Sequence, residues 1–152
     1  MHDEQTTSND MTLERVLDAT PDLVWRMWTD PDHFSRWYGP AGVSVSDARM
    51  DVRVGGRRDV EMTANDGSMQ VRFSGEYLEV VEQIRLVYTE AMTDTDGNPQ
   101  SPDTEVTVEL EDLGGRTRLV LTHAGLPQDS HGATGWAMAL DKLASHLGGL
   151  AA

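Results

Sequence analysis

The sequence predicts an α+β domain in which a curved antiparallel sheet of about six or seven strands wraps a long C-terminal helix. Three observations carry that expectation. A first strand is followed at once by two short helices, the middle of the chain alternates apolar and polar residues between turn signals, and the last segment returns to helical spacing.

Residues 1–10 are polar, without apolar periodicity, and read as a disordered tail ahead of one domain over residues 11–150. Residues 13–19 read as the first strand. Thr20-Pro21-Asp22 then supplies an N-cap, a proline at the first helical position and an acid in the first turn. Leu23, Val24, Met27 and Trp28 form that helix's apolar stripe. Asp30-Pro31 repeats the start signal, and Phe34 and Trp37 mark a second short helix ending near Gly39-Pro40.

From residue 43 to 125 the period becomes two. Gly55-Gly56, Asn65-Asp66-Gly67 and Gly114-Gly115 are turn signals, and residues 93–102, rich in Asp, Gly and Pro, are the longest loop. Between them, four sets of residues each share a face: Met69, Val71, Phe73, Gly75 and Tyr77; Ile84, Leu86, Tyr88, Glu90 and Met92; Val106, Val108 and Leu110; Leu119, Leu121 and His123. Gly75, in mid-strand, marks either a bulge that bends the sheet or a close approach of ligand, and the bulge is favoured. On a straight strand Glu76 and Glu79 point to opposite faces and make no carboxylate dyad. Over residues 130–147, Trp136, Leu140, Leu143 and Leu147 make one helical stripe, and the sheet's inner face is the large apolar surface available to cover it.

Composition excludes several functions. Acids outnumber bases 26 to 12, for a formal charge of −14, and no basic run interrupts the surface, so neither nucleic acid nor membrane is an expected partner. Eleven of the bases are Arg and one is Lys142, a bias that fits a GC-rich genome or a high-salt habitat. No cysteine is present, which removes disulfides, thiol catalysis and thiolate metal sites. No histidine pair has metal-ligand spacing, and no nucleophile elbow, phosphate loop or dinucleotide fingerprint occurs, so no metal, cofactor or catalytic residue is assigned. The first residues lack the order of a signal peptide and no apolar run approaches membrane length, so a cytoplasmic location is expected.

The order of several short motifs then resembles a known family. Arg15-Val-Leu-Asp-Ala-Thr-Pro-Asp-Leu-Val-Trp25, Trp28-Thr-Asp-Pro31 and Trp37-Tyr-Gly-Pro40 are followed by Asp51-Val-Arg-Val-Gly-Gly56, Phe73-Ser-Gly-Glu-Tyr-Leu-Glu-Val80 and Ile84-Arg-Leu-Val87. Val106-Thr-Val108, Thr117-Arg-Leu-Val-Leu-Thr-His123, Gly135-Trp136 and Leu140-Asp-Lys-Leu143 complete the set. Over about residues 11–148 this resembles the family related to the activator of the heat-shock-protein-ninety ATPase, within the START-like polyketide-cyclase (SRPBCC) superfamily. The resemblance implies the helix-grip, Bet v-like fold, a cavity under the long helix, and a place in the stress response.

Three functions remain open. The first is a non-catalytic carrier or sensor of a small apolar molecule. The second is a co-chaperone-like module that binds a chaperone or another protein, and the third is a cyclase- or hydratase-type enzyme. The pocket candidates are Trp28, Trp37, Met62, Met69, Phe73, Tyr77, Tyr88, Glu90, Met92, His123, Trp136 and Leu140. Each aromatic or Met is either core filling or wall of a site for an adaptable guest. Glu90 and His123 fall on the inner face by parity, where they either pair with one another or reach water at strand ends.

Overall fold

The computed structural model of the protein describes residues 10–94, 96–126 and 130–151. Its elements are β1 (Asp10–Leu17), α1 (Pro21–Thr29), α2 (Pro31–Phe34), β2 (Val43–Met50), β3 (Arg57–Ala64), β4 (Gln70–Val81), β5 (Arg85–Thr93), β6 (Thr104–Asp112), β7 (Thr117–Ala124) and α3 (His131–Ala151). The strands make one seven-stranded sheet in the order β1-β7-β6-β5-β4-β3-β2, antiparallel throughout. Five successive hairpins therefore build β2 to β7, and β1 closes the far edge beside β7. Because β1 and β2 are opposite edges, the α1–α2 connection carries the chain across the width of the sheet. This is the α+β helix-grip arrangement that the sequence predicts.

Local chemistry sets the boundaries. Nearly all of the expected tail, residues 1–9, lies outside the described residues, but Asp10 already pairs with Ala124 as the first residue of β1. The strand ends at Leu17, two residues before the expected end. Beyond it the Ala19 carbonyl accepts from the Thr117 hydroxyl at 2.7 Å, and Thr20 turns off as the extended N-cap of α1, accepting from the Leu23 amide. Asp30 caps α2 in the same way, accepting from the Asp32 amide at 3.0 Å. That helix stops at Phe34, short of the expected end near Gly39; Trp37 lies in the following turn and donates its indole N–H to the Met27 carbonyl at 2.9 Å.

The sheet bends in β4. Gly75 is not the bulge that the sequence favoured; the register slips between Tyr77 and Glu79 instead. A Cβ at Gly75 would sit 1.8 Å from the Thr89 carbonyl oxygen, so the glycine permits close crossing of β5 rather than of a ligand. The slip inserts exposed Leu78, which keeps Tyr77 and Val80 inward and leaves Glu76 and Glu79 both outward, not on opposite faces as in a straight strand. Ile84 departs from its expected face: it lies in the β4–β5 turn, 58% exposed, just after Gln83 takes a left-handed φ of 65°.

One core cluster fills the inner face. It joins Val24, Met27, Trp28, Phe34 and Trp37 of the early helical region to Leu86, Tyr88, Val106, Val108, Leu119 and Leu121 of the sheet, and to Trp136, Leu140, Leu143 and Leu147 of α3. The helical stripe is buried as predicted. On the outer face charges answer one another in half-exposed ion pairs, such as Arg85 between Glu79 and Glu109. Each such pair contributes roughly 0–1 kcal/mol.

Candidate functional site

α3 does not touch the sheet along its whole length. Under its N-terminal half lies a cavity of about 510 Å³, walled by Val43, Met62, Val71, Phe73 and Met92 from the sheet side. The turn at Tyr38, Gly39 and Pro40, Leu126 before the helix, and Gly132, Gly135, Trp136 and Ala139 of α3 close it. The void has a local cause. Positions 132, 135 and 139 recur at helical spacing on one face; Gly135 and Ala139 project too little to reach the sheet, while Gly132 admits the Leu126 side chain, which a Cβ there would meet at 2.6 Å. Met69 and Met92 also line the cavity yet remain 44% and 39% exposed, which puts its mouth beside these two flexible thioethers.

Lys142, the single lysine, fixes the helix against that wall. Its ammonium donates to the carbonyls of Gly39 at 3.1 Å, Pro40 at 3.4 Å and Val43 at 3.1 Å, and burial lowers its pKa. One charged side chain thereby holds the turn between α2 and β2 in place at the cavity edge.

The inner end of the cavity is polar. Glu90 comes from β5 and is 7% exposed; its Oε2 accepts from Arg58 Nη1 and from the Tyr38 hydroxyl, both at 3.1 Å. Arg58, 1% exposed, points inward from β3 by the same alternation as Val60 and Met62. Its guanidinium lies 3.9 Å from the Tyr88 ring centroid, with the Phe34 and Tyr38 rings at 5.2 Å and 5.4 Å. Aromatic faces thus supply part of the environment that water would otherwise give the cation. Burial pushes the Tyr38 and Tyr88 hydroxyls well up, so both stay protonated as donors. Tyr88 lies 3.4 Å from Tyr38, and since Tyr38 gives its proton to Glu90, the hydroxyls run Tyr88 to Tyr38 to carboxylate.

His123 forms a second, separate cluster. Trp136 Nε1–H donates to His123 Nδ1 at 2.9 Å, so in the neutral ring Nε2 carries the proton and donates to Thr104 Oγ1 at 2.6 Å. The threonine hydroxyl in turn donates to the Glu90 carbonyl at 3.0 Å. Burial lowers the His123 pKa, with Glu90 opposing and Arg58 reinforcing the shift. Neither alternative read from the sequence holds for these two residues. They do not hydrogen-bond to each other, and they are buried with their own partners rather than open to water, because Arg58 and Trp136 reach them first.

Of the twelve pocket candidates, Met62, Met69, Phe73, Glu90, Met92, His123 and Trp136 stand on the cavity wall. Trp28, Trp37, Tyr77, Tyr88 and Leu140 are buried behind it: Trp28 and Trp37 meet edge to face at 4.6 Å, and Tyr77 packs on Tyr88 at 6.1 Å. Sequence reasoning did not single out Tyr38, Arg58 or the small residues of α3. Strand alternation from Met62 back through Val60 was the available signal for Arg58. Adjacent Arg57 and the Gly55-Gly56 turn make the same stretch read as a solvated hairpin end.

Among the described residues no helix is long and apolar enough to cross a membrane, and no group of three or more His, Asp or Glu could hold a metal ion.

Comparison with known proteins adds a family. Residues 18–148 match the model of the activator of Hsp90 ATPase homolog 1-like proteins, AHSA1. A crystal structure of a protein from Chromobacterium violaceum is similar at 31% identity and TM-score 0.79, covering 90% of this chain and 95% of the other. One from Nitrosomonas europaea has 28% identity and TM-score 0.78, covering 92% and 94%. An AHSA1 protein from Silicibacter pomeroyi has 26% identity and TM-score 0.79, covering 91% and 97%. No curated protein matches the chain.

Proposed function

The chain belongs to the AHSA1 family of activator of Hsp90 ATPase homolog 1-like proteins, and from that premise we propose that it binds a small hydrophobic molecule between sheet and α3, as a carrier or sensor and not as a catalyst. The observation that carries this reading is the cavity of about 510 Å³ beneath glycines of a helix that is otherwise packed. That volume lies in the range of small-molecule sites, and apolar walls with few polar groups suit a hydrophobic guest. Met62, Met69 and Met92 allow the wall to adapt to the guest's shape.

Catalysis of the cyclase or hydratase kind is less well supported. Both ring nitrogens of His123 are engaged, and Glu90 is the counter-ion of a buried guanidinium. A general acid or base needs a position facing the reacting proton. The family description favours a second reading, recognition of a chaperone, and Leu78, Val81 and Ile84 stay exposed about the β4–β5 hairpin. Capture of a purified Hsp90-type chaperone that survives blocking of the cavity would support that reading.

The test of the first reading is native mass spectrometry of freshly purified protein, followed by titration with an apolar fluorescent probe. Saturable binding that Phe73→Trp abolishes by filling the wall is the expected result. Absence of any bound compound together with absence of saturable probe binding contradicts it.

A further inference from the structure

Resting on the cavity reading above, we infer that the guest is a neutral apolar molecule bearing a hydroxyl group, a phenol or an alcohol, and that carboxylic acids are rejected. The polar end of the cavity has spent its accessible side-chain donors on its own acceptors; Arg58 Nη2 has no hydrogen-bond partner but is sealed from solvent against the surrounding rings. Arg58 Nη1 and the Tyr38 hydroxyl both give their protons to Glu90 Oε2. Trp136 Nε1–H is committed to His123 Nδ1, and the His123 Nε2 proton to Thr104. The Thr104 proton goes to the Glu90 carbonyl.

One acceptor is left. Glu90 Oε1 has no partner among the described residues, and it is absent from the side-chain oxygens that are fully sealed from solvent without a partner. Glu90 is itself part of the cavity wall, so this oxygen is the atom a guest meets. A guest carrying a donor completes it with a charge-assisted hydrogen bond, stronger than a neutral one. A guest with acceptors alone meets no open side-chain donor, since the unpaired Arg58 Nη2 is sealed off, and it leaves Oε1 unpaired. A carboxylate guest has no proton to give Oε1, and because Arg58 already neutralises Glu90 its charge enters an apolar cavity uncompensated. A protonated amine does supply a donor, but Arg58 already neutralises Glu90, so it brings an uncompensated charge into an apolar cavity. A neutral hydroxyl therefore fits best.

Three ligands of one shape separate these cases: β-naphthol, β-naphthyl methyl ether, which has no donor, and β-naphthoate, titrated calorimetrically into the whole protein near pH 7. β-Naphthol is expected to bind at least about tenfold more tightly than either of the others. Equal affinities for all three overturn the head-group assignment while leaving a hydrophobic site, and tighter binding of β-naphthoate overturns it with the opposite sign. Failure of all three to bind overturns both this inference and the cavity reading beneath it. Glu90→Gln supplies a second check, because it removes the anion, leaves Arg58 in excess and should narrow or reverse the naphthol-to-naphthoate ratio. Where that variant folds poorly, the ligand series on the unmodified protein decides alone.

Discussion

Leu140, Leu143 and Leu147, from the middle of α3 toward its C-terminal end, are no more than 2% exposed, whereas Gly132, Gly135 and Ala139 of the same helix border a cavity of about 510 Å³. One helix thus performs two tasks against one sheet. Its C-terminal half supplies hydrophobic burial, roughly 1.5–3 kcal/mol for each fully buried leucine. At Gly135 and Ala139 its N-terminal half forgoes such bulk to leave room, although Trp136 between them is buried, and Lys142 and the polar cluster about Glu90 hold the walls apart. A void in a folded core thus needs both small residues on one side and a braced wall on the other, since packed interiors otherwise close up.

The comparison predicts how unlike the halves are under substitution. The largest effect is expected in the brace. Glu90→Ala leaves Arg58 buried without its counter-ion and should cost about 3–5 kcal/mol in urea unfolding. The double change Arg58→Met with Glu90→Leu should recover most of that loss, because it removes both charges together. Next comes the packed half: Leu140→Ala should cost about 2–5 kcal/mol, while Met92→Ala at the cavity mouth should cost less than about 1 kcal/mol, because its side chain faces open space. Equal losses for these two variants would break the distinction. Lys142→Met, which strips three carbonyls of their donor, is expected to cost about 1–2 kcal/mol and to loosen the cavity edge.

The smallest effect is that of pH. His123 is held neutral, its pKa below the ordinary value, so the unfolded chain takes up the proton first as pH falls. Its contribution to stability is whole above the ordinary histidine pKa of about 6.5 and is lost as pH drops from there toward the lowered folded value. His146, lowered by burial and by the neighbouring His33 and Arg36, acts with the same sign. His123→Gln should therefore flatten, without abolishing, the fall in melting temperature below neutral pH. An unchanged slope would show that burial does not hold His123 neutral in the folded protein.

The fold was legible because its signals are periodic. The strand alternation through Leu119, Leu121 and His123 and the stripe through Trp136 and Leu147 each repeat often enough to outweigh a local exception. The site was half legible. Parity put Glu90 and His123 on the inner face, but it assigns a residue to a side of the sheet, not to a partner. Arg58 and Tyr38 therefore stayed out of view. The bulge at Leu78 also ends simple counting along β4. The cavity itself has no positive signal, since Gly132, Gly135 and Ala139 announce it by lacking side chains, and glycine within a helical pattern reads first as weak helix propensity.

Paired substitutions on α3 test the division most directly. A Cβ at Gly135 meets Pro40 at an ordinary 3.8 Å, so Gly135→Leu can enter the cavity without backbone strain and should also favour the helix. An apolar fluorescent probe is titrated against this variant and against Leu140→Ala under conditions where both are folded. Gly135→Leu is expected to weaken binding at least about tenfold with an unchanged or higher melting temperature, and Leu140→Ala to stay within about threefold of the unmodified protein despite its lower stability. Probe binding that survives Gly135→Leu, or that falls equally in both variants, would contradict the division.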